Sequence, residues 1–346
     1  MKKFTICCFI VITSIFSSCG VTDTEEKSQP GRRDYVWSTD TLNTNSGRIA
    51  PIWGANPENI WAINSGDGFD PLNRRMWHYD GIKWTKYDRG NVPIDPICLL
   101  GFSESDIWIG TQNGDILHYD GSYFEKSTTM TSSDFATTIR IRGFCGTSSN
   151  DLYAVGLAYI TDDTNPRLLI YHYNGDRWSE IYRNDFPAQV LSVYETNGKL
   201  YLTVTSRPAP NPVTVSLFQF ADGKLQTLFS ATPALEEYFI LNQIGNELYF
   251  LANKKIYKIN DKKLEMAFDF SSYNEVGAFF GRSKSDMFFK LDNSLMHYNG
   301  TDYSRMPVNA DNMLFITSPA IFSNDIFICT VNYVTMDNVI LHGHLN

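Results

Sequence analysis

The chain has 346 residues and a formal net charge of −9, with 43% hydrophobic, 14% aromatic and only 19% charged side chains. An acidic chain of this balance is repelled by polyphosphate backbones and anionic bilayers, which argues against nucleic acid and against a purely electrostatic membrane patch. Its six cysteines include no Cys-x-x-Cys spacing, so neither a disulfide framework nor a zinc site is indicated; no cofactor and no metal are expected.

The first 18 residues read as a leader. Lys2 and Lys3 form a charged n-region, Phe4–Phe16 an apolar stretch, and Ser17-Ser18-Cys19 a small-residue end. The stretch falls short of the roughly 20 apolar residues of a membrane span. This arrangement resembles the lipobox of bacterial lipoprotein signal peptides, which implies cleavage before Cys19 and lipid (palmitate included) on that residue. Phe16 departs from the Leu that is commoner at the first lipobox position, so a plain secretory signal is the alternative. Residues 19–33 are polar, contain Gly and Pro, and lack apolar periodicity; they read as a flexible tether. Asp23, Glu25 and Glu26 resemble the surface-export signal of Bacteroidota-type lipoproteins. The implied location is the bacterial envelope, at the outer membrane, with the periplasmic or surface face left open. Without Lys2 and Lys3 the balance is 27 basic against 38 acidic residues.

A repeat begins after the tether. Ser103–Phe124, SESDIWIGTQNGDILHYDGSYF, alternates short apolar runs with Asn113-Gly114 and Asp120-Gly121, dipeptides that supply the positive φ of two-residue hairpin turns. The same pattern recurs at 56–84, 148–178 and 283–303. Its aromatic anchors are Trp61, Trp108, Tyr153, Tyr201, Tyr249, Phe288 and Phe327, spaced by 47, 45, 48, 48, 39 and 39 residues. That is the period of four-stranded propeller blades, roughly 40–50 residues. In each unit the first strand is an apolar run such as Ile97–Phe102, the second carries the anchor, the third carries His-Tyr, and the fourth ends in Trp84, Phe124, Trp178 or Tyr303. One such sheet cannot bury both faces alone, whereas radial stacking buries them.

Seven anchors predict an all-β fold, a seven-bladed β-propeller of four-stranded antiparallel blades spanning 34–346. The seventh unit stops at Asn346 one strand short, and Asp34–Asp40, DYVWSTD, resembles an outer strand such as Ile82–Asp88. The N-terminal strand is therefore expected to close the ring. The units resemble the NDIWAVG…HYDG-x-x-W propeller repeats of secreted and lipid-anchored bacterial proteins. Through Asp106–Asp115 they are also similar to the propeller repeats of two-component sensor ectodomains. The resemblance implies a fold and leaves the activity open.

Candidate chemistry is sparse. His78, His118, His172, His297 and His342 share one repeat position, with Gln219 and Lys258 there in the degenerate units, so they read as structural, bonding a neighbouring strand or turn backbone; His344 carries no signal. The tryptophans read as inter-blade packing. Asp80, Asp106, Asp120, Asp151, Asp286 and Asp325 fit turn chemistry. Asp67 and Asp70, in the loop 64–73, lack the oxygen spacing of an EF-hand. Cys98, Cys145 and Cys329 read as small strand residues, with a Cys98–Cys145 bridge left open. Nothing forms a catalytic elbow or phosphate loop.

Loop length remains as the functional signal. Loops joining the second and third strands are long at 64–75, 157–167, 205–213 and 331–338, and hold Phe69, Arg74, Arg75, Tyr159, Arg167, Arg207 and Tyr333. Rigid scaffolds carry function on such loops, and aromatic and Arg residues are enriched at binding hot spots. The expectation is a monomeric, non-enzymatic envelope lipoprotein that engages a protein or glycan through one face. The alternatives are a glycan-active hydrolase or lyase with a site at the mouth of the central channel, and a sensory ectodomain.

Overall fold

Apolar alternation between tight turns leaves the backbone to hydrogen-bond across hairpins. The computed structural model describes residues 30–42, 44, 48–65, 76–87, 95–131, 138–159, 166–206, 212–234, 237–308, 313–315 and 319–346, and among them there are strands and no helix.

After β1 (Tyr35–Leu42), the strands β2 (Arg48–Asn56), β3 (Asn59–Ser65), β4 (Met76–Tyr79) and β5 (Trp84–Tyr87) form one antiparallel sheet. A second holds β6 (Pro96–Ser103), β7 (Asp106–Thr111), β8 (Asp115–Tyr119) and β9 (Phe124–Thr129). A seven-stranded sheet follows, with β10 (Thr138–Ser148), β11 (Asp151–Tyr159), β12 (Arg167–Tyr173), β13 (Trp178–Thr196), β14 (Lys199–Ser206), β15 (Thr214–Ala221) and β16 (Lys224–Ala231). Two further four-stranded sheets contain β17 (Ile240–Ile244), β18 (Glu247–Ala252), β19 (Lys255–Asn260) and β20 (Lys263–Asp269), then β21 (Val276–Ser283), β22 (Asp286–Leu291), β23 (Ser294–Tyr298) and β24 (Tyr303–Arg305). In the last sheet β25 (Met313–Phe315) and β26 (Ala320–Ile321) both pair with β27 (Asp325–Asn332), which pairs with β28 (Asn338–Leu345), and β1 is outermost.

The result is an all-β propeller of antiparallel, four-stranded units. Five sheets stand as separate blades, rather than the expected seven. The third and fourth repeat units are merged because β13 runs unbroken for 19 residues. Its first half pairs with β12, from Tyr173↔Trp178 to Arg167↔Pro187, and its second half with β14, from Ala188↔Ser206 to Thr196↔Lys199. A second correction concerns the outer aromatics. Trp84, Phe124, Trp178 and Tyr303 open the fourth strands and do not end them.

Burial follows the anchors. Seven buried clusters fill the spaces between successive sheets and between the two halves of the seven-stranded one. Each holds one anchor: Trp61 packs with Ile107 and Phe124, Trp108 with Ile141 and Leu152, and Phe288 with Ile328 and Leu341. Burying one such side chain stabilises by about 1.5–3 kcal/mol, so every sheet depends on its neighbour. Cys98, Cys145 and Cys329 are free, buried and divided among three different clusters, so the open Cys98–Cys145 bridge is not formed.

β1 pairs with β28 over eight residues, from Tyr35↔Leu345 to Leu42↔Asn338. Arg282 secures the junction: Nη1 donates to Tyr35 Oη at 2.6 Å and to Asp286 Oδ2 at 3.0 Å, and Nη2 to the Asp325 carbonyl at 3.3 Å. Ordered contacts begin inside the segment read as tether. Gly31 N donates to the Ser285 carbonyl at 3.0 Å, and Arg33 Nη2 to the Asp302 carbonyl at 2.6 Å.

Candidate functional site

The ring has two faces. Asn56, Gly245, Arg282 and Ser323, in or beside the turns joining first and second strands of different sheets, line one cavity of about 700 Å³. Those turns therefore share a face, and the loops between second and third strands share the other. β1 enters at the turn face, because its Tyr35 end lies against Leu345 beside Asn324, whose carbonyl accepts from Leu345 N at 2.8 Å.

The repeated histidines form pairs that the sequence reading missed. His118 Nε2 meets Asp106 Oδ1 at 2.8 Å, His172 meets Asp151 at 2.7 Å, His297 meets Asp286 at 2.7 Å, and His342 meets Asp325 at 2.8 Å; His78 meets Asn59 Oδ1 at 3.0 Å. The expected partner was backbone; the observed one is the side chain two residues before each anchor. Those aspartates open the second strands and are not turn residues. Register explains the geometry, since each histidine lies directly across from its anchor (Trp108↔His118, Phe288↔His297, Phe327↔His342) and its ring packs on it, with centroids 3.9–4.5 Å apart. His344, read as uninformative, places Nδ1 2.9 Å from Asp325 Oδ1. Burial opposes the charge of Asp286, but the hydrogen bond with His297 and the positive Arg282 hold its pKa below the ordinary value.

The remainder of HYDG builds the turn. Tyr119 Oη donates to the Gly121 carbonyl at 3.0 Å, and Asp120 Oδ1 accepts from Ser122 N at 2.9 Å and Tyr123 N at 3.3 Å. Those backbone donors lower the Asp120 pKa. Gly121 holds φ +98, and a Cβ there would lie 2.8 Å from that of Ser105, which accounts for its identity.

The innermost strands wall a channel with a cavity of about 460 Å³. Five of them, β2, β6, β10, β13 and β21, carry a β-bulge near the loop-face end, and the extra residues of four line the cavity: Ala50-Pro51 in β2, Ile97 in β6, Arg142 in β10 and Leu191 in β13. Bulges re-aim side chains and are common beside functional sites. Trp53, Leu99 and Tyr194 complete much of the wall; Tyr194 donates to Asn242 Oδ1 at 2.9 Å, and burial pushes its pKa up to about 12.

On the loop face the candidate binding residues separate. Tyr159 ends β11, is 7% exposed, and stacks its ring under the Arg140 guanidinium at 4.1 Å. Arg167 opens β12 opposite Ala158, so these two adjoin. Tyr333 stands apart at the β27–β28 tip with Val334 and Met336, exposed by 58%, 67% and 61%. Asn332 fixes that tip, its Oδ1 accepting from Val334 N at 2.9 Å and its carbonyl from Met336 N at 2.7 Å. Phe69, Arg74, Arg75, Arg207 and Cys19 lie outside the described residues, as do Asp67 and Asp70.

No family model and no curated protein matches this chain. Solved structures do. The chain is similar to YCF48 bound to D1 peptide, with 13% identity, TM-score 0.62, and coverage of 92% of this chain and 100% of that one. It is similar to the extracellular domain of a proposed one-component system from B. thetaiotaomicron, with 14% identity, TM-score 0.56, and coverage of 89% and 40%. It is also similar to oligogalacturonate lyase in complex with manganese, with 9% identity, TM-score 0.57, and coverage of 91% and 98%. At these identities the likeness is one of fold, and the fold these structures share with the chain is the β-propeller.

Proposed function

We propose that the chain is a lipid-anchored envelope protein whose seven-bladed propeller is a binding module for a protein partner on its loop face. Seven inter-sheet clusters, one per anchor, and the two-sided pairing of β13 support counting the merged sheet as two blades. The anchor rests on Lys2, Lys3, the apolar stretch and Cys19. Entry of β1 at the turn face would leave the loop face pointing away from a membrane that holds residue 19.

The observation that carries the binding role is the Tyr333-Val334-Met336 tip. Three apolar side chains are displayed to solvent on a backbone fixed by Asn332, and exposed apolar groups on a rigid support are how partner contacts are presented. A neighbour of the same fold is described bound to a peptide, which agrees with a protein partner. The described residues lining the channel cavity include no carboxylate pair of the kind glycosidases use.

The test places a photo-reactive residue at Tyr333 and, as control, at Ile82, which is 85% exposed in a turn between third and fourth strands. In living cells a discrete adduct is expected at Tyr333 and not at Ile82. Equal labelling at both, or none, would remove the reading. Release of sugar ends from a polysaccharide panel would instead establish the glycan-active alternative.

A further inference from the structure

The described lining of the channel cavity is mixed: aliphatic and aromatic side chains stand beside the Cys98 thiol, the hydroxyls of Ser192 and Tyr194 and one guanidinium. Of its described lining residues Arg142 alone is a permanent cation, and none is an aspartate or glutamate. No hydrogen bond or ion pair joins Arg142 to another described residue, although its positive charge reaches the nearby Cys98 thiol. Register places it there: Ile141 pairs with Gly156 and Gly143 with Val155, so Arg142 is the extra residue of the β10 bulge. The corresponding bulge residues of the neighbouring innermost strands are Ile97 in β6 and Leu191 in β13, the latter 52% exposed despite its size. Thus the same backbone device projects an apolar, a cationic and an apolar side chain in succession around the wall.

This combination selects a ligand chemistry. A guanidinium with an open planar fork matches a carboxylate in two parallel hydrogen bonds. Ile97, Leu191 and Leu99 would gain nothing from a small hydrated anion, but they would bury an apolar body attached to one. The chain as a whole is acidic, with net charge −9, so attraction of anions to this point is local to the channel. The cavity, about 460 Å³, falls within the range of small-ligand sites.

We propose that the channel binds a carboxylate carried on an apolar body, with Arg142 as its anchor and Ile97, Leu99 and Leu191 as the sleeve. The proposal deepens the binding-module reading and rests on it. Two sources share this chemistry: the C-terminal carboxylate of an apolar peptide, and a free medium-chain fatty acid.

The test is calorimetric titration of the purified full chain with the tetrapeptide Ala-Ala-Val-Leu, its C-terminal amide, octanoate and octanamide. At least one acid should bind, and its amide should bind about tenfold more weakly or worse. Arg142→Gln should weaken the acid by about the same factor and leave the amide unchanged, so that the two bind alike. Leu191→Ser should weaken acid and amide together. Because Arg142 is exposed and unpaired, its variant should melt with the parent, which separates ligand loss from misfolding. Binding of the peptide acid alone identifies a chain terminus, and of octanoate alone a fatty acid. Equal binding of acid and amide, undiminished binding by Arg142→Gln, or no binding of either acid at millimolar concentration overturns the proposal. A Tyr333 adduct found together with any of these negative results would leave the binding-module reading standing without the channel site.

Discussion

Sheets β21–β24 and β17–β20 solve one packing problem with different chemistry. In the first, His297 lies across from Phe288, fully buried, with Nε2 on Asp286 and Nδ1 accepting from Arg33 Nε at 3.2 Å. In the second, Lys258 occupies the same register opposite Tyr249 and pairs with Glu247, both about one-third exposed. The merged sheet offers a third version: Gln219 lies across from Tyr201 and donates to its Oη at 2.8 Å and to Asp261 Oδ1 at 2.9 Å. What the position requires is a donor that covers the anchor and reaches an acceptor; the imidazole is one answer among three. Where water reaches the pair, either donor serves: an ammonium at Lys258, an imidazole at His118 and His172. Where the pair is sealed beneath the N-terminal segment, a flat ring with two nitrogens satisfies partners on both sides.

Removing the lid over the sealed pair should have the largest effect. Deletion of residues 20–40 removes most of β1, uncovers His297 and strips Tyr35 from its cluster; a loss of about 5 kcal/mol or more is expected in chemical denaturation. A melt identical to the parent would contradict closure by β1. Next, Asp286→Ala should cost about 3–5 kcal/mol, because Arg282 and His297 lose a shared buried acceptor, whereas Glu247→Ala should cost about 1 kcal/mol or less. Similar losses at both sites would erase the distinction between sealed and open pairs.

Acid sharpens the same contrast. The pKa of Asp286 in the fold lies below its ordinary 3.8, so its contribution is complete above that value and is lost as pH falls through the lowered one. The stability deficit of Asp286→Asn should therefore be full at neutral pH and shrink below about pH 4, as read from urea midpoints across a pH series. The smallest change is expected from exchanging chemistry at the open site: Glu247→Asp with Lys258→His should keep stability within about 1 kcal/mol.

The architecture was legible because its signals are local. Turn dipeptides fix the hairpins, and each anchor fills the gap to the next sheet, so spacing along the chain translates into position around the ring. The merging of two units was hidden because Asp185-Phe186-Pro187 reads as a break, whereas the backbone passes through it extended and changes partner there. The Asp–His pairs left a trace that went unused: every unit with the histidine has Asp or Asn two residues before its anchor, and the unit with Lys258 has Glu247. Arg142 could not be found from the sequence. Thr138–Cys145 alternates as a half-exposed strand would, and only the cross-strand register reveals the bulge that turns Arg142 into the channel. Of the loop residues singled out by type, Tyr159 proved to be packed beneath Arg140, while the exposed Val334 and Met336 beside Tyr333 were overlooked.

Pairing of β1 with β28 also sets a schedule for biogenesis. β1 is among the first folded segments to be synthesised, yet Tyr35 must wait for Leu345 to be made before its ladder can form. Until then the edges of β28's future neighbours and the apolar face of β1 have no cover, a contact of very long sequence separation that is slow to form. A ring assembled in this way cannot close before β28 has been made, so a nascent chain stalled before Asn338 would leave the β1 edge open for other chains to join.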